Sequence, residues 1–136
     1  MEGIIKVTDL VKVITFTSKK KYKLAIFGDS KKVKYQDQVY VAGFPLFDLG
    51  NLKLESGKVV ANADVSINQG YQLLYTNQTE KGMSGGVILN KNGELIGLHG
   101  RGEIDRKRTK EEEFISKTGI NQGVPISFYR QFLNGL

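Results

Sequence analysis

The stretch TEKGMSGGVILNKNGELIGLHG, residues 79–100, decides the fold. It contains two short apolar runs, 85–90 and 94–100, joined by a polar segment that ends in Asn92-Gly93. An Asn-Gly pair between two apolar runs is typical of a two-stranded hairpin, because both residues tolerate left-handed backbone angles. The stretch therefore predicts a β-hairpin that directly follows a glycine-rich turn around Ser84.

Three interpretations compete for that turn, KGMSGG at residues 81–86. A phosphate-binding loop is excluded, since no Gly-Lys-Ser/Thr follows and the next element is a strand rather than a helix. A purely structural turn fits, because serine and glycine are common turn residues. A nucleophile turn also fits: the backbone N–H groups of Gly82 and Ser84 would then face a developing oxyanion. The turn alone leaves the last two interpretations open.

The composition is that of one globular domain. The chain has 136 residues, 40% hydrophobic, with 16 glycines, two prolines and no cysteine. Disulfides and thiolate metal sites are thereby excluded. No apolar run approaches the roughly 20 residues of a membrane helix, and no signal peptide is visible, so localisation stays undetermined.

The net charge of +6 is concentrated in residues 1–34, which hold nine lysines and three acidic residues. A nucleic-acid or anionic surface is one interpretation of this segment. Lysines that protect an exposed strand edge are the other. No arginine or aromatic interleaving and no nucleic-acid motif accompanies the lysines, so we favour the second interpretation and expect neither a nucleic-acid nor a membrane partner.

The rest of the chain predicts short strands followed by one helix. Residues 101–118 are charged, and we expect an exposed excursion that is partly helical around KEEEF at 110–114. A terminal helix is predicted for SFYRQFLNGL, capped by Ser127. The fold class is therefore all-β, an antiparallel β-barrel or sandwich with a C-terminal helix. The predicted strands lie at 10–17, 23–27, 38–45, on both sides of Ser56-Gly57, and at 71–77, 85–90, 94–100 and 123–127.

The sequence GMSGGVILNKNGELIGLHGRG resembles the active-serine region of chymotrypsin-like serine proteases, where a Gly-x-Ser-Gly-Gly turn precedes a β-hairpin. It is most similar to the cyanobacterial-type trypsin-like peptidase domain. The similarity continues, in order and at similar spacing, through VYVAGFPL, SGKVVANAD, GYQLLYTNQT and KTGINQGVPI. The resemblance implies a serine endopeptidase fold with Ser84 as nucleophile, Gly82 and Ser84 as the oxyanion hole, and neither metal nor cofactor.

The resemblance also places Asp9, in DLVKVITF, where the family has the aspartate that orients the catalytic histidine. That histidine precedes the aspartate by many tens of residues in the family, whereas the one histidine of this chain is His99. The expectation is an N-terminally truncated domain: residues 1–30 as a remnant of the first barrel and residues 31–136 as the second barrel with the helix. We expect such a chain to be inactive or very weak. We expect its residues 9–27 to fold back on the second barrel, to pair with another copy, or to pair with a complementing N-terminal half.

His99 has a different expected role. In glutamyl endopeptidases, a branch of the same fold, a histidine fifteen residues after the serine and a threonine five before it bind an acidic P1 side chain. This chain has Thr79 and His99 at those spacings. A hydroxyl and a protonated imidazole can both donate to a carboxylate. We therefore predict a peptide substrate with Glu or Asp at P1, bound by Thr79, His99, Gly100 and Arg101; a satisfied core histidine is the alternative.

Two positions depart from the family. Met83 replaces the aspartate that pairs with a freed N-terminus in trypsin-like zymogens, so activation by that ion pair is not expected. Val87 stands where proline usually follows Ser-Gly-Gly. A non-catalytic module that holds peptides in the old substrate cleft is therefore the alternative function.

Overall fold

A computed structural model describes residues 17–48, 50–67, 69–102, 104–108, 113–117 and 119–134. Eight strands and one helix follow one another along these ranges. They are β1 (Gln38–Gly43), β2 (Lys53–Asn62), β3 (Leu73–Tyr75), β4 (Val87–Asn90), β5 (Leu95–Arg101), β6 (Ile104–Arg108), β7 (Glu113–Lys117), β8 (Asn121–Pro125) and α1 (Ile126–Asn134). A short 3-10 helix, Ser30–Lys32, precedes β1.

Six of the strands close into an antiparallel barrel in the order β1-β2-β3-β8-β5-β4. The period-2 pattern of β1 explains its place, since Val39 and Val41 point inward while Tyr40 and Ala42 are half-buried. The interior is filled by aliphatic side chains, Tyr75 and Met83. The predicted fold class, an all-β antiparallel barrel with a C-terminal helix, is confirmed.

The hairpin of the opening stretch is also confirmed, with β4 and β5 paired around the turn at 91–93. Gly93 has φ +77 there, which suits glycine. Residues 23–27 do not form the predicted strand: Phe27 alone makes an isolated bridge to Leu95 of β5. Leu24 and Ile26 remain 89% and 70% exposed. The position of Asp9, and all but the last residue of the strand predicted over 10–17, lie outside the described residues.

Ser56-Gly57 is not a turn, because β2 runs through it without a break. The reason lies across the sheet: a Cβ on Gly57 would stand 2.3 Å from Asn77 Oδ1, so the glycine leaves room for that buried side chain. The Asn77 Nδ2 group donates to the carbonyls of Val39 and Glu55, at 3.1 and 2.7 Å. Ser-Gly thus marks a close approach inside a strand.

The partly helical excursion predicted for 101–118 is wrong where the structure describes it. Residues 104–108 and 113–117 pair as an antiparallel two-stranded sheet, separate from the barrel. The predicted helix 127–136 exists, but it begins at Ile126, so Ser127 does not cap it. The amide of Ser127 instead donates to Oγ of the buried Ser30 at 3.2 Å. A hydroxyl distant in sequence thus satisfies one of the free amides of the first turn.

Candidate active site

The glycine-rich turn before β4 is held by its own backbone. Met83 N donates to Glu80 O at 3.1 Å, and Gly86 N donates to Met83 O at 2.9 Å. Gly82 has φ +101, and a Cβ there would stand 2.5 Å from Leu46 N. This position therefore requires glycine both for its backbone angle and for the close passage of the 44–46 loop.

Met83 anchors the turn in the barrel. Its side chain is fully buried in the hydrophobic core, and its Sδ accepts from Glu80 N at 3.4 Å. The neighbouring strand leaves space for it, since a Cβ on Gly43 would meet Met83 Cβ at 3.1 Å. An apolar anchor thus occupies the position where the family's zymogens have an aspartate.

Ser84, the next residue, is exposed, and Oγ donates to the carbonyl of Gly100 at 3.0 Å. Two backbone hydrogen bonds hold the turn against β5: Gly85 N to His99 O at 2.7 Å, and His99 N to Gly86 O at 2.8 Å. The turn and the C-terminal half of β5 therefore form one rigid unit. A carbonyl acceptor cannot take the serine proton, so this hydrogen bond does not activate the hydroxyl.

The amides of the turn divide into two sets. Those of Met83, Gly85 and Gly86 donate to backbone carbonyls, whereas within the described ranges those of Gly82 and Ser84 make no backbone hydrogen bond. An open cavity of about 450 Å³ borders this region. Two available amides beside an exposed hydroxyl are what an oxyanion hole requires. The cavity is lined by residues 42–44, Leu52 and residues 82–87.

His99 lies inside the barrel wall and is 2% exposed. Its Nδ1 is 2.6 Å from the hydroxyl of Tyr75, and the two rings meet edge to face. Burial lowers the pKa of His99 from 6.5 to about 4, because the charged ring would lose its hydration. Near neutral pH the ring is therefore uncharged, and the positive charge expected from a protonated His99 is absent.

This burial predicts a pH dependence of stability. The unfolded chain takes up a proton on His99 near pH 6.5, whereas the folded chain does so only near pH 4. In that window the unfolded state binds more protons, so the free energy of unfolding falls as the pH is lowered, by up to about 3 kcal/mol. Urea unfolding between about pH 7 and pH 4 should show this loss for the native chain and not for His99→Gln. If the free energy of unfolding falls equally with pH in the native chain and in His99→Gln, the lowered pKa of His99 is contradicted.

Thr79 reaches the same region from the loop after β3. Its Oγ1 is 2.6 Å from Oδ1 of Asn121, and a Cβ on Gly102 would lie 3.6 Å from that hydroxyl. Asn121 is fully buried, and its Nδ2 donates to the carbonyls of Tyr75 and Asn77, at 3.2 and 2.5 Å. Thr79 is thus tied to Asn121 of β8, and His99 to Tyr75 of β3. His99 itself lies on β5, the strand that contacts Ser84.

Gly100 and Arg101 line the end of β5. A Cβ on Gly100 would stand 2.3 Å from the Tyr71 hydroxyl, so only glycine fits. The Arg101 guanidinium lies over the Tyr71 ring, 4.4 Å from its centre, and also donates to the side chain of Gln69. These contacts hold the Arg101 side chain in place at the exposed end of β5.

The sequence interpretation missed Tyr75 and Asn121, the two buried partners of the predicted pocket residues. The alternation of β3 could place Tyr75 inside the barrel, but its contact with His99 depends on the strand order β3-β8-β5. Among the described residues, no group of three or more His, Asp or Glu side chains could hold a metal ion. The described helix is also too short to cross a bilayer.

Comparison with known proteins agrees with this fold. The profile of the family described as "Trypsin-like peptidase domain" matches residues 5–98, more than half of the chain. No curated protein sequence matches the chain.

Solved structures share the fold. A serine-to-alanine variant of the HtrA-type protease AlgW with a tripeptide has TM-score 0.65 and 18% identity, covering 87% of this chain and 37% of that one. The same variant with a decapeptide has TM-score 0.58 and 17% identity, covering 81% of this chain and 31% of that one. AlgW with a tripeptide has TM-score 0.58 and 18% identity, covering 81% of this chain and 34% of that one. The chain therefore spans about a third of the length of these proteins. By its match over residues 5–98, the chain belongs to the trypsin-like peptidase domain family.

Proposed function

We propose that the turn 82–86 binds the carbonyl of a peptide bond for attack by Ser84. The observation that carries this proposal is the pairing of an exposed Ser84 hydroxyl with two amides, Gly82 and Ser84, that make no backbone hydrogen bond within the described ranges. The rigid contact between the turn and β5 supports it, because it fixes the hydroxyl beside a strand. The reaction class is acyl transfer to serine followed by hydrolysis.

The mechanism also requires a general base that takes the proton of Ser84. The chain's one histidine, His99, is buried against Tyr75 and is unsuited to deprotonate Ser84. A histidine base would then lie outside these 136 residues, and Asp9 would orient it. Without the base, the oxyanion hole and binding alone give on the order of 10³–10⁴-fold acceleration over water. We therefore propose that this chain alone hydrolyses peptides very weakly or not at all.

The P1 side chain would enter beside Thr79, His99 and Gly100, with Arg101 at the rim. Family resemblance suggests Glu or Asp at P1. A neutral His99 and a Thr79 hydroxyl already engaged by Asn121 reduce what the pocket offers to a carboxylate. We therefore propose the wider class of polar, acceptor-bearing P1 side chains, of which Glu and Asp are the charged members.

The division into a first-barrel remnant, 1–30, and a second barrel, 31–136, remains a proposal. The exposed Leu24 and Ile26 support a partner there, either a second copy or a complementing N-terminal half. Light scattering after size exclusion would test self-pairing. A dimer that dissociates in Leu24→Ser/Ile26→Ser supports it, and a strict monomer at high concentration contradicts it.

The catalytic proposal is tested by reaction with a fluorophosphonate, with and without added imidazole as a replacement base. We expect slow labelling of Ser84 that imidazole accelerates, and none in Ser84→Ala. Ser56→Ala, a matched change on β2, should label like the native chain. If Ser84 remains unmodified even at high imidazole, the hydroxyl is not a nucleophile.

The second candidate is a peptide-binding module without catalysis. The Ser84–Gly100 hydrogen bond favours it, because the hydroxyl is engaged by a carbonyl rather than by a base. Its signature is peptide binding, measured by calorimetry, with no labelling of Ser84. If labelling of Ser84 instead abolishes peptide binding, labelling and binding take place at the same site.

A further inference from the structure

The cavity beside the serine turn has an apolar floor on the outside of the barrel wall. Val41 and Ile88 are fully buried in the core, so their chain neighbours Ala42 and Val87 point to the outer face. Ala42 and Val87 are direct partners across β1 and β4, and both line the cavity. Two paired strands of the barrel therefore form the floor.

The walls of the cavity are apolar as well. Phe44 and Leu52 line it and are 55% and 63% exposed. Among the described residues of the lining, Ser84 has the only polar side chain. The volume of about 450 Å³ lies within the roughly 300–1,000 Å³ of ligand pockets. Since the removal of apolar surface from water favours binding, the cavity suits an apolar side chain, and its lining offers no ion pair to a charged one.

The wall at Phe44 is fixed to the turn. Leu46 N donates to Lys81 O at 2.7 Å, and Pro45, between Phe44 and Leu46, is buried. A Cβ on Gly82 would stand 2.5 Å from Leu46 N, so the loop and the turn are in direct contact. A wall that is ordered in advance loses little conformational entropy when a ligand binds.

The strand order places the cavity on one side of Ser84. In the barrel, β4 has β1 on one side and β5 on the other. The turn before β4 contacts β5 through the Ser84–Gly100 hydrogen bond, and it borders the cavity on the side of β1. A peptide bond held at the amides of the turn, with its acyl part toward β5, therefore directs its leaving-group part toward the cavity.

We propose that this cavity binds an apolar side chain, of the size of Leu or Phe, from the leaving-group side of the peptide bond held at Ser84. Phe44 and Leu52 are the residues that determine this specificity. The inference rests on the proposed peptide site at Ser84 and adds the residue after the scissile bond to its substrate class.

Binding tests the specificity without catalysis, because it needs no general base. The probes are two capped hexapeptides, Ac-Ala-Ala-Glu-Leu-Ala-Ala-NH₂ and the same peptide with Asn in place of Leu, titrated by calorimetry. Leu and Asn are similar in size, but only Leu gains from burial among apolar walls. We expect the Leu hexapeptide to bind about tenfold more tightly. Equal or tighter binding of the Asn hexapeptide would overturn the inference.

Variants locate the effect in the cavity. Phe44→Ser and Leu52→Asn should each remove most of the preference for Leu. Phe47→Ser and Leu46→Asn are the matched controls, because both side chains are exposed on the same loop and neither belongs to the described lining. The controls should keep the native preference. A tenfold preference that survives in Phe44→Ser and in Leu52→Asn contradicts the role of the cavity.

Product fragments determine the side of the bond. H-Leu-Ala-Ala-NH₂ represents the leaving group and Ac-Ala-Ala-Leu-OH the acyl part, and each is compared with its Asn counterpart. We expect a Leu preference that depends on Leu52 in the first pair. If that preference occurs only in the second pair, the cavity takes the acyl side and the inference is wrong.

Reaction with a fluorophosphonate separates this inference from the proposed catalysis. Failure of Ser84 to label, together with a Leu preference that depends on Phe44 and Leu52, would remove catalysis and leave this pocket intact. Labelling of Ser84 with equal binding of the two hexapeptides would do the reverse.

Discussion

Gly86→Ala should destabilise the domain by at least about 3 kcal/mol, the upper end of the cost of overpacking. An added Cβ would stand 2.3 Å from the carbonyl oxygen of Ala42 and 2.8 Å from that of Met83. Both are backbone atoms, so the turn and β1 would have to move apart, and the hydrogen bonds of Gly86 to Met83 and His99 would be lost. Because small domains have only about 5–15 kcal/mol of stability, urea unfolding should show a large shift of the midpoint.

Gly93→Ala is the matched control. Gly93 also lies in the hairpin, but with φ +77 and nothing within 4 Å of an added Cβ. Only the left-handed backbone angle is penalised, at about 1–2 kcal/mol. If Gly86→Ala lowered the free energy of unfolding no more than Gly93→Ala, the close approach of Gly86 to Ala42 of β1 would be contradicted.

Met83→Ala should cost about 2–5 kcal/mol, as expected for a fully buried side chain removed from a core. It should also loosen the turn, because the side chain fills the space beside Gly43 and its sulfur accepts from Glu80 N. Urea unfolding measures the first effect. Amide hydrogen exchange of Gly85 and Gly86 measures the second, and it should become faster than global unfolding explains.

Met83→Leu separates volume from chemistry. A volume-conserving exchange should cost less than about 1.5 kcal/mol and leave amide exchange in the turn near native. If Met83→Ala and Met83→Leu lose equal amounts of stability and of amide protection in the turn, packing of Met83 does not position Ser84.

The sequence predicted the elements whose local chemistry and tertiary packing agree. The hairpin after Ser84 followed from Asn92-Gly93 and the apolar runs beside it, and β1 followed from the apolar run at 38–45. The helix expected around KEEEF is wrong at Glu113 and Phe114, because charged residues favour a helix locally, whereas these two residues pair with β6. Ser56-Gly57 misled because a glycine that admits Asn77 looks the same in sequence as one that forms a turn.

The roles assigned to Ser84, Thr79 and His99 from the sequence stay predictions, and the sequence contains no information on where their protons lie. The resemblance of Thr79 and His99 to the pocket residues of glutamyl endopeptidases predicted a preference for Glu or Asp at P1. The charge state of His99 depends on its burial, the position of its ring on Tyr75, and the direction of the Thr79 hydrogen bond on Asn121. Both partners lie on strands that become neighbours only when the barrel closes, so no local pattern contains this information.

The most direct test of the account is a titration of backbone amide NMR signals with the capped hexapeptide that contains Leu. If the turn binds a peptide carbonyl, the amides of Gly82 and Ser84 should shift most, together with that of Gly100 on β5. Shifts confined to the separate cavity beside α1, at Asn62, Gln72 and Gln131, would place the peptide elsewhere and contradict a peptidase-type site at Ser84.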